Sequence, residues 1–176
     1  MRTATVISLF IFSVLTAEAD PMKTVDFVDV DKYLGSWYEV ASIPQSFQKD
    51  CFCSRAEYSL REDGHLRVVN SCNKKSHQGK ISIVEGYAKI IDKNTNSKLK
   101  VTFFWPFFGD YWIIGLDADY RYSVVSSPDR STLWVLSRTP ILDPRLLQMA
   151  LDDAKRQGLN LTKLQFRSND DCMYGN

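Results

Sequence analysis

Two short stretches decide the fold: Gly35-Ser36-Trp37-Tyr38-Glu39 and, about a hundred residues later, Leu133-Trp134-Val135-Leu136-Ser137-Arg138-Thr139-Pro140. Gly35 lets the chain bend sharply into a strand, and Trp37 is large enough to fill the floor of a closed barrel. Arg138 leaves a late strand, where its guanidinium can lie over the indole in a cation–π contact worth about 0.5–2 kcal/mol. We therefore expect a β-barrel that Gly35, Trp37 and Arg138 close at one end.

Between these stretches the chain alternates short apolar runs with polar turns, which indicates antiparallel strands. Eight strands are predicted, at about 36–44, 53–61, 65–72, 79–91, 98–105, 110–117, 120–126 and 132–139. Asp143 and Pro144 then suit the start of a helix, and Gly158 suits its end. A short strand is expected at about 163–167. The predicted fold class is all-β: an eight-stranded antiparallel up-and-down β-barrel with one C-terminal α-helix packed on the barrel wall.

The first 19 residues have the pattern of a secretory signal peptide. Arg2 precedes an apolar run over residues 6–15, and Ala17-Glu18-Ala19 fits the small-x-small cleavage rule. This pattern predicts removal of residues 1–19 and a single domain over residues 20–176. We expect export, to the periplasm or outer membrane of a bacterium or as a secreted eukaryotic protein. The net charge of +1 gives no reason to expect a nucleic-acid partner.

Three motifs in order carry a family resemblance: Tyr33-Leu34-Gly35-Ser36-Trp37-Tyr38-Glu39, then Leu116-Asp117-Ala118-Asp119-Tyr120, then Arg138. The chain resembles a lipocalin and is most similar to the bacterial lipocalin and apolipoprotein D branch. The resemblance implies binding, storage or transport of small hydrophobic or amphipathic ligands, such as fatty acids or lysophospholipids, with a role in membrane maintenance. By position, it also implies a ligand pocket lined by Tyr58, Asn70, Phe103, Tyr111 and Trp134.

Strand alternation extends this expected pocket wall. Trp105 shares a strand face with Phe103, Ile113 shares one with Tyr111, and Leu136 shares one with Trp134. We therefore add Trp105, Ile113 and Leu136 to the ligand-binding set.

The direction of successive strands places the first, third, fifth and seventh loops at the open end. These loops carry the aromatic and cationic rim residues Phe47, Lys74, Lys75, Phe107 and Phe108. Aromatic side chains beside cations suit an anionic amphiphile or a membrane surface. We expect the acyl chain inside the barrel and its head group at the rim. The alternative is that the aromatic side chains fold back as a lid and the lysines are only solvated.

Four cysteines in an exported chain indicate disulfide bonds. Cys51 and Cys53 are too close in sequence to be natural partners. Strand direction brings Cys51 near Cys72, which favours Cys51–Cys72 and Cys53–Cys172. The rival pairing, Cys72–Cys172, follows another common lipocalin pattern and stays open at this point.

No catalytic motif, metal site or cofactor site is evident, so we expect a binding protein and no enzyme. Two alternatives remain: a lipocalin-fold enzyme that uses the Cys53 thiol, and an interaction protein whose cavity has collapsed. Glu39 shares strand parity with Trp37, and we expect its carboxylate to be hydrogen-bonded to a neighbouring strand or tyrosine; contact with a ligand head group is the alternative. The expected partners are a small lipid, a membrane surface at the barrel mouth and, at most, a second copy in a weak homodimer.

Overall fold

The computed structural model describes residues 20–174, and the predicted signal peptide lies outside these described residues. The nine strands are β1 (Gly35–Ser42), β2 (Cys51–Leu60), β3 (Leu66–Lys74), β4 (Ile81–Ile90), β5 (Lys98–Phe104), β6 (Phe107–Leu116), β7 (Tyr122–Ser126), β8 (Leu133–Ser137) and β9 (Gln165–Phe166). Two α-helices, α1 (Val30–Tyr33) and α2 (Pro144–Arg156), and two 3-10 turns, Ser46–Gln48 and Leu161–Lys163, complete the elements. Within residues 20–174, no helix is both long and apolar enough to span a bilayer.

The first eight strands pair in chain order, each antiparallel to the next, and β1 pairs with β8 to close the ring. The short strand β9 adds to the mouth end of β1 through Ala41 and Ser42. The predicted fold class is therefore confirmed: the molecule is an eight-stranded up-and-down barrel with one extra strand and a C-terminal helix.

Two apolar cores share the barrel wall. The inner core fills the floor half of the barrel around Trp37, Val68 and Ile113. The outer core lies between the wall and α2, where Ala150 and Ala154 are fully buried. Side chains alternate between the two faces of each strand, so every strand under α2 contributes to both cores.

The helix α2 begins and ends where its capping residues predict. The Asp143 carboxylate accepts hydrogen bonds from the backbone N–H groups of Arg145 and Leu146, at 2.9 and 3.3 Å. Pro144 occupies the first turn, where its missing N–H costs nothing. Gly158 follows the helix with a φ of +75°, the left-handed conformation typical of a helix end.

The barrel wall opens at two places in its mouth half. β1 pairs with β2 only over Gly35–Tyr38, because the chain of β1 then bonds to β9 instead. β4 pairs with β5 only over Tyr87–Ile90, although β4 begins six residues earlier, at Ile81. The floor half is a complete ring of strands, whereas the mouth half has a gap on either side of β2, β3 and β4.

Both disulfides join the pairs that strand direction favours. Cys51 bonds to Cys72 with a Cα–Cα distance of 5.4 Å. Cys53 bonds to Cys172 with a Cα–Cα distance of 5.6 Å, which ties the C-terminal tail to β2. The rival Cys72–Cys172 pairing is excluded.

Candidate ligand-binding site in the barrel

Trp37 and Arg138 seal the floor of the barrel. The Arg138 guanidinium lies 3.8 Å from the centre of the Trp37 ring, and Trp37 is fully buried. Arg138 Nη1 also donates to the backbone oxygens of Leu34 and Ser36, at 2.9 and 3.0 Å. The indole Nε1 of Trp37 donates to the backbone oxygen of Tyr33 at 2.9 Å. These bonds and the stacked guanidinium close the floor end of the barrel.

Gly35 makes this closure possible. Its backbone φ is +88°, a conformation that residues with a side chain rarely adopt. A Cβ built there would lie 3.6 Å from Arg138 Nη1, so the guanidinium packs directly on the glycine backbone. The sequence prediction of a tight turn at Gly35 is confirmed.

Above the floor, the predicted pocket residues fall into two groups. Tyr58, Ile113 and Leu136 are buried in the inner core. Phe103, Tyr111 and Trp134 pack against that core but remain partly exposed. The first group forms the packed lower part of the barrel, and the second lines its open upper part.

Gly109 lies near the mouth, on the inner face of β6 that also carries Tyr111 and Ile113. A Cβ built on Gly109 would meet no heavy atom within 4 Å. Gly109 lies opposite Val101 of β5, which is also partly exposed. The space at Gly109 therefore lies towards the mouth, whereas the inner core packs the floor half.

Trp105 does not lie on the pocket wall, contrary to the sequence expectation. β5 ends at Phe104 and β6 begins at Phe107, so Trp105 belongs to the turn between them. Phe104 and Phe107 face each other across this tight hairpin. Trp105 is 77% exposed at its tip, because strand alternation stops where the turn begins.

Three tyrosine hydroxyls meet in the lower lumen. Tyr111 Oη accepts from Tyr58 Oη at 2.9 Å and shares a 2.8 Å hydrogen bond with Tyr33 Oη. Tyr33 Oη in turn shares a 3.0 Å hydrogen bond with Ser123 Oγ. Burial raises the pKa of Tyr33 to about 12 and raises the pKa values of Tyr58 and Tyr111 as well. These side chains are neutral at ordinary pH and offer hydroxyl groups, not charge, to the lumen.

Asn70 stands on the inner face of β3, in line with Leu66 and Val68. Its Oδ1 atom is buried and has no hydrogen-bond partner among the described residues. An unpaired buried acceptor is costly, so a ligand that donates a hydrogen bond would be stabilised here.

Glu39 is the centre of a polar network at one side of the mouth. Its Oε1 accepts from Ser42 Oγ at 2.6 Å and from Arg167 Nε at 2.7 Å. Its Oε2 accepts from Gln48 Nε2 at 2.7 Å, and Gln48 Oε1 accepts from Trp134 Nε1 at 2.9 Å. The expected hydrogen-bonded state of Glu39 is confirmed, but its partners are Arg167, Ser42 and Gln48 and not a tyrosine.

Arg167 is the residue of this network that the sequence analysis missed. It lies just after β9, in contact with a carboxylate 128 positions earlier in the chain. No motif marks it, and only the return of the tail to the barrel mouth could have indicated its role. A cleft of about 430 Å³ reaches Arg167 where β1 and β2 separate, between the β1–β2 loop and Gln165.

The rim carries exposed aromatic side chains, but not all of those predicted. Phe47 in the β1–β2 loop is 69% exposed and Phe107 is 77% exposed. Phe108 is only partly exposed, because it lies on the outer face of β6 with its ring 5.8 Å from that of Tyr87. Phe47, Trp105 and Phe107 therefore form the aromatic rim, and Phe108 is removed from it.

The predicted rim cations also differ from one another. Lys75 is exposed. Lys74 is half-buried, with its Nζ donating to the Lys49 oxygen at 3.1 Å and lying 3.3 Å from Cys51 Sγ. Lys74 thus supports the loop beside the disulfide, whereas Lys75 is free to face a solvent-borne anion.

All four cysteines of the described chain are in disulfides. Cys53, Cys172 and His77 lie close together, but the two sulfurs are bonded to each other. The thiol that an enzymatic mechanism would need at Cys53 is therefore absent.

Comparison with known proteins agrees with this geometry. Residues 28–169 match the family model described as a lipocalin-like domain. The chain is 40% identical to the outer membrane lipoprotein Blc of Escherichia coli K12 over 139 residues, which cover 79% of this chain and 78% of Blc. It is 34% identical to mouse apolipoprotein D over 153 residues, which cover 82% and 78% of the two chains.

A solved structure shares the fold at lower identity. Insecticyanin of the tobacco hornworm Manduca sexta superposes with a TM-score of 0.70 at 20% identity, covering 89% of this chain and 90% of its own. The matched domain, the relatives and the closed barrel agree: this chain belongs to the lipocalin family, which binds small hydrophobic ligands.

Proposed function

We propose that this protein binds a single-chain lipid, such as a fatty acid or lysophospholipid, and stores or carries it without catalysing a reaction. The observation that carries the proposal is the set of partly exposed inner-face aromatics, Phe103, Tyr111 and Trp134, above a sealed floor. Each methylene moved from water against such side chains contributes about 0.8 kcal/mol, so an acyl chain is the ligand that gains most.

The geometry favours one orientation for that lipid. The chain would lie in the upper lumen between Phe103, Tyr111 and Trp134, with the head group near the mouth. Lys75 and the exposed rim aromatics Phe47 and Phe107 suit an anionic head group and the surface of a bilayer. The rim would then receive the lipid from a membrane and release it there.

The names of two relatives support a setting outside the cytoplasm. One is called an outer membrane lipoprotein and the other an apolipoprotein. We infer that this protein is also exported, which agrees with its two disulfides. Contact with lipid surfaces is part of the same proposal.

Native mass spectrometry against a panel of fatty acids and lysophospholipids tests this function, with tryptophan quenching as a second measure of affinity. The decisive variants are Gly109→Ala and Gly109→Phe. Because a Cβ at Gly109 meets no heavy atom within 4 Å, we expect the Gly109→Phe protein to fold. Its ring should displace at least two methylenes of a bound chain and lower the affinity about tenfold.

Gly109→Ala is the matched control, since it adds one methyl group to the same backbone position. It should bind within about twofold of the unmodified protein. Equal affinity of all three proteins for palmitate, or no lipid bound by any of them, would contradict a lumen site.

A further inference from the structure

The mouth half of β4 has an open edge. β4 pairs with β3 from Ile81 to Ala88, but β5 pairs with none of its residues from Ile81 to Gly86. A strand edge presents unpaired N–H and C=O groups that can pair with another extended backbone. In the part of the chain that the structure describes, this edge borders the gap in the barrel wall.

The ladder shows which backbone groups face the gap. Lys74 N donates to Lys80 O at 2.9 Å across the β3–β4 hairpin, and Ile91 N donates to Lys98 O at 2.8 Å on the β5 side. Antiparallel strands bond to a given neighbour at every second residue. The N–H and C=O groups of Ile81, Ile83 and Glu85 therefore point away from β3, into the gap.

The side chains around this edge are apolar and uncovered. Ile81 is 56% exposed and Ile83 is 67% exposed. Val84 is also exposed, although it lies on the inner face of β4. The edge therefore offers apolar contact on both faces of β4, through Ile81 and Ile83 outside and Val84 inside.

We propose that the β4 edge binds an N-acylated amino acid as an added strand; this rests on the proposed lipid function. In one amino-acid residue the N–H and the C=O point to the same side, so they match the C=O and N–H of Ile83. A fatty acid or simple ester lacks the N–H donor. The occupant is thus an amphiphile with a peptide-like head.

Strand direction then orients this ligand. β4 runs from the mouth at Ile81 towards the floor at Ile90, so an antiparallel ligand residue runs from floor to mouth. Its acyl group, on the nitrogen, points towards the floor end of β4, where Val84 faces inward, and its carboxylate points up on the side of Lys80. The charge and the chain of an acylated amino acid both fit this direction.

The test compares two ligands that differ in one atom. N-palmitoylglycine and O-palmitoylglycolate have the same chain and carboxylate, but an ester oxygen replaces the N–H in the second. We expect the glycine compound to bind about twofold to tenfold more tightly, because one donor is lost in the ester. Palmitate serves as the reference for lumen binding. Equal affinity for the two matched ligands would overturn the inference and leave the lipid function standing, whereas failure of palmitate and of every lysophospholipid in the panel to bind would reject both.

Ile83→Pro removes the N–H of Ile83, which the β3–β4 ladder does not use, and edge strands tolerate proline at such positions. It should weaken the affinity for N-palmitoylglycine about twofold to tenfold and leave the affinity for palmitate unchanged. Ile83→Val, which keeps the N–H, should change neither affinity. If Ile83→Pro does not fold, the ligand pair on the unmodified protein decides. Sedimentation equilibrium adds one more outcome: a dimer that Ile83→Pro abolishes would assign the edge to a second copy and overturn the proposal.

Discussion

The buried tyrosine hydroxyls of Tyr33, Tyr58 and Tyr111 show how single residues combine polarity with a greasy interior. Each hydroxyl has a partner, so none bears the full cost of an unpaired buried group. All three pKa values are raised by burial, which disfavours the charged phenolate. The lumen can therefore be polar at depth without carrying charge.

These raised pKa values predict a loss of stability in alkali. Tyr33 would release its proton near pH 10 in the unfolded chain but holds it to about pH 12 in the folded protein. Its contribution is therefore complete below pH 10 and is lost as the pH rises towards 12, by about 2–3 kcal/mol. Urea unfolding between pH 8 and pH 11.5 measures this change. Tyr33→Phe should reduce the slope, and a flat profile in the unmodified protein would contradict the prediction.

The Glu39–Arg167 ion pair predicts that removing the Arg167 side chain lowers the stability of the fold strongly. Both groups are shielded from solvent, and removing one partner leaves a buried charge unpaired. Arg167→Met should lower the free energy of unfolding by about 3 kcal/mol. Arg61→Met is the control: it breaks the exposed pair with Asp63 and should cost far less, because exposed ion pairs contribute little to stability. The same small loss in both variants, measured by urea unfolding, would show that Arg167 is not structural.

At the scale of elements, the β5–β6 hairpin separates two aromatic roles that look alike in the sequence. Phe107 and Phe108 are neighbours, yet Phe107 is exposed at the rim while Phe108 packs against Tyr87 on the outer wall. The sequence predicts that the second strand of this hairpin begins at about residue 110. β6 instead begins at Phe107, because Phe107 pairs directly with Phe104.

The different positions of Phe107 and Phe108 predict that one serine substitution lowers membrane binding and the other lowers stability. Phe107→Ser should weaken binding to anionic phospholipid vesicles about tenfold, because insertion of one exposed phenylalanine is worth about 1.5–3 kcal/mol. Phe108→Ser should leave vesicle binding nearly unchanged but lower thermal stability. Vesicle co-sedimentation and thermal unfolding measure the two effects.

Leu60→Ser is the control for this pair, since Leu60 is similarly exposed but lies at the floor end of β2. It should not alter vesicle binding. Equal weakening by the floor and rim variants would mean that the protein has no preferred membrane-facing end.

At the scale of the whole molecule, the C-terminal tail completes the barrel mouth. β9 takes the place beside β1 that β2 leaves, Arg167 reaches Glu39, and Cys172 bonds to Cys53. Three independent contacts therefore hold a segment that is far from the barrel in sequence. The mouth depends on the tail for its shape.

The Cys53–Cys172 disulfide should accordingly carry much of the global stability. It closes a loop across a sequence separation of 119 residues, whereas Cys51–Cys72 spans 21. In the chain-entropy view, the longer loop restricts the unfolded chain more, by about 1 kcal/mol or more. The double variant Cys53→Ser/Cys172→Ser should thus lose about 4–5 kcal/mol, and Cys51→Ser/Cys72→Ser about 3 kcal/mol, in urea unfolding. The reverse order would contradict this account.

The sequence by itself determined the closed floor, the strand order, the start and end of α2 and the likeness to lipocalins. These features depend on local rules: the alternation of side chains along a strand, the helical period, and the conformational needs of Gly35, Asp143 and Gly158. Such rules act over a few residues and can be read without the fold. The inward positions of Tyr58, Phe103, Tyr111, Ile113, Trp134 and Leu136 follow from the same alternation.

Only the tertiary structure decided where the strands of the mouth half stop pairing, where Trp105 and Phe108 lie, and which residue forms the ion pair with Glu39. Each of these depends on contacts between segments distant in the chain, such as the tail against β1 or the tight turn that ends β5. The gap beside β4 belongs to the same class, because a strand becomes an edge only when its neighbour ends early. Local periodicity carries no information about where that neighbour stops, so the open edge could be found only in the assembled barrel.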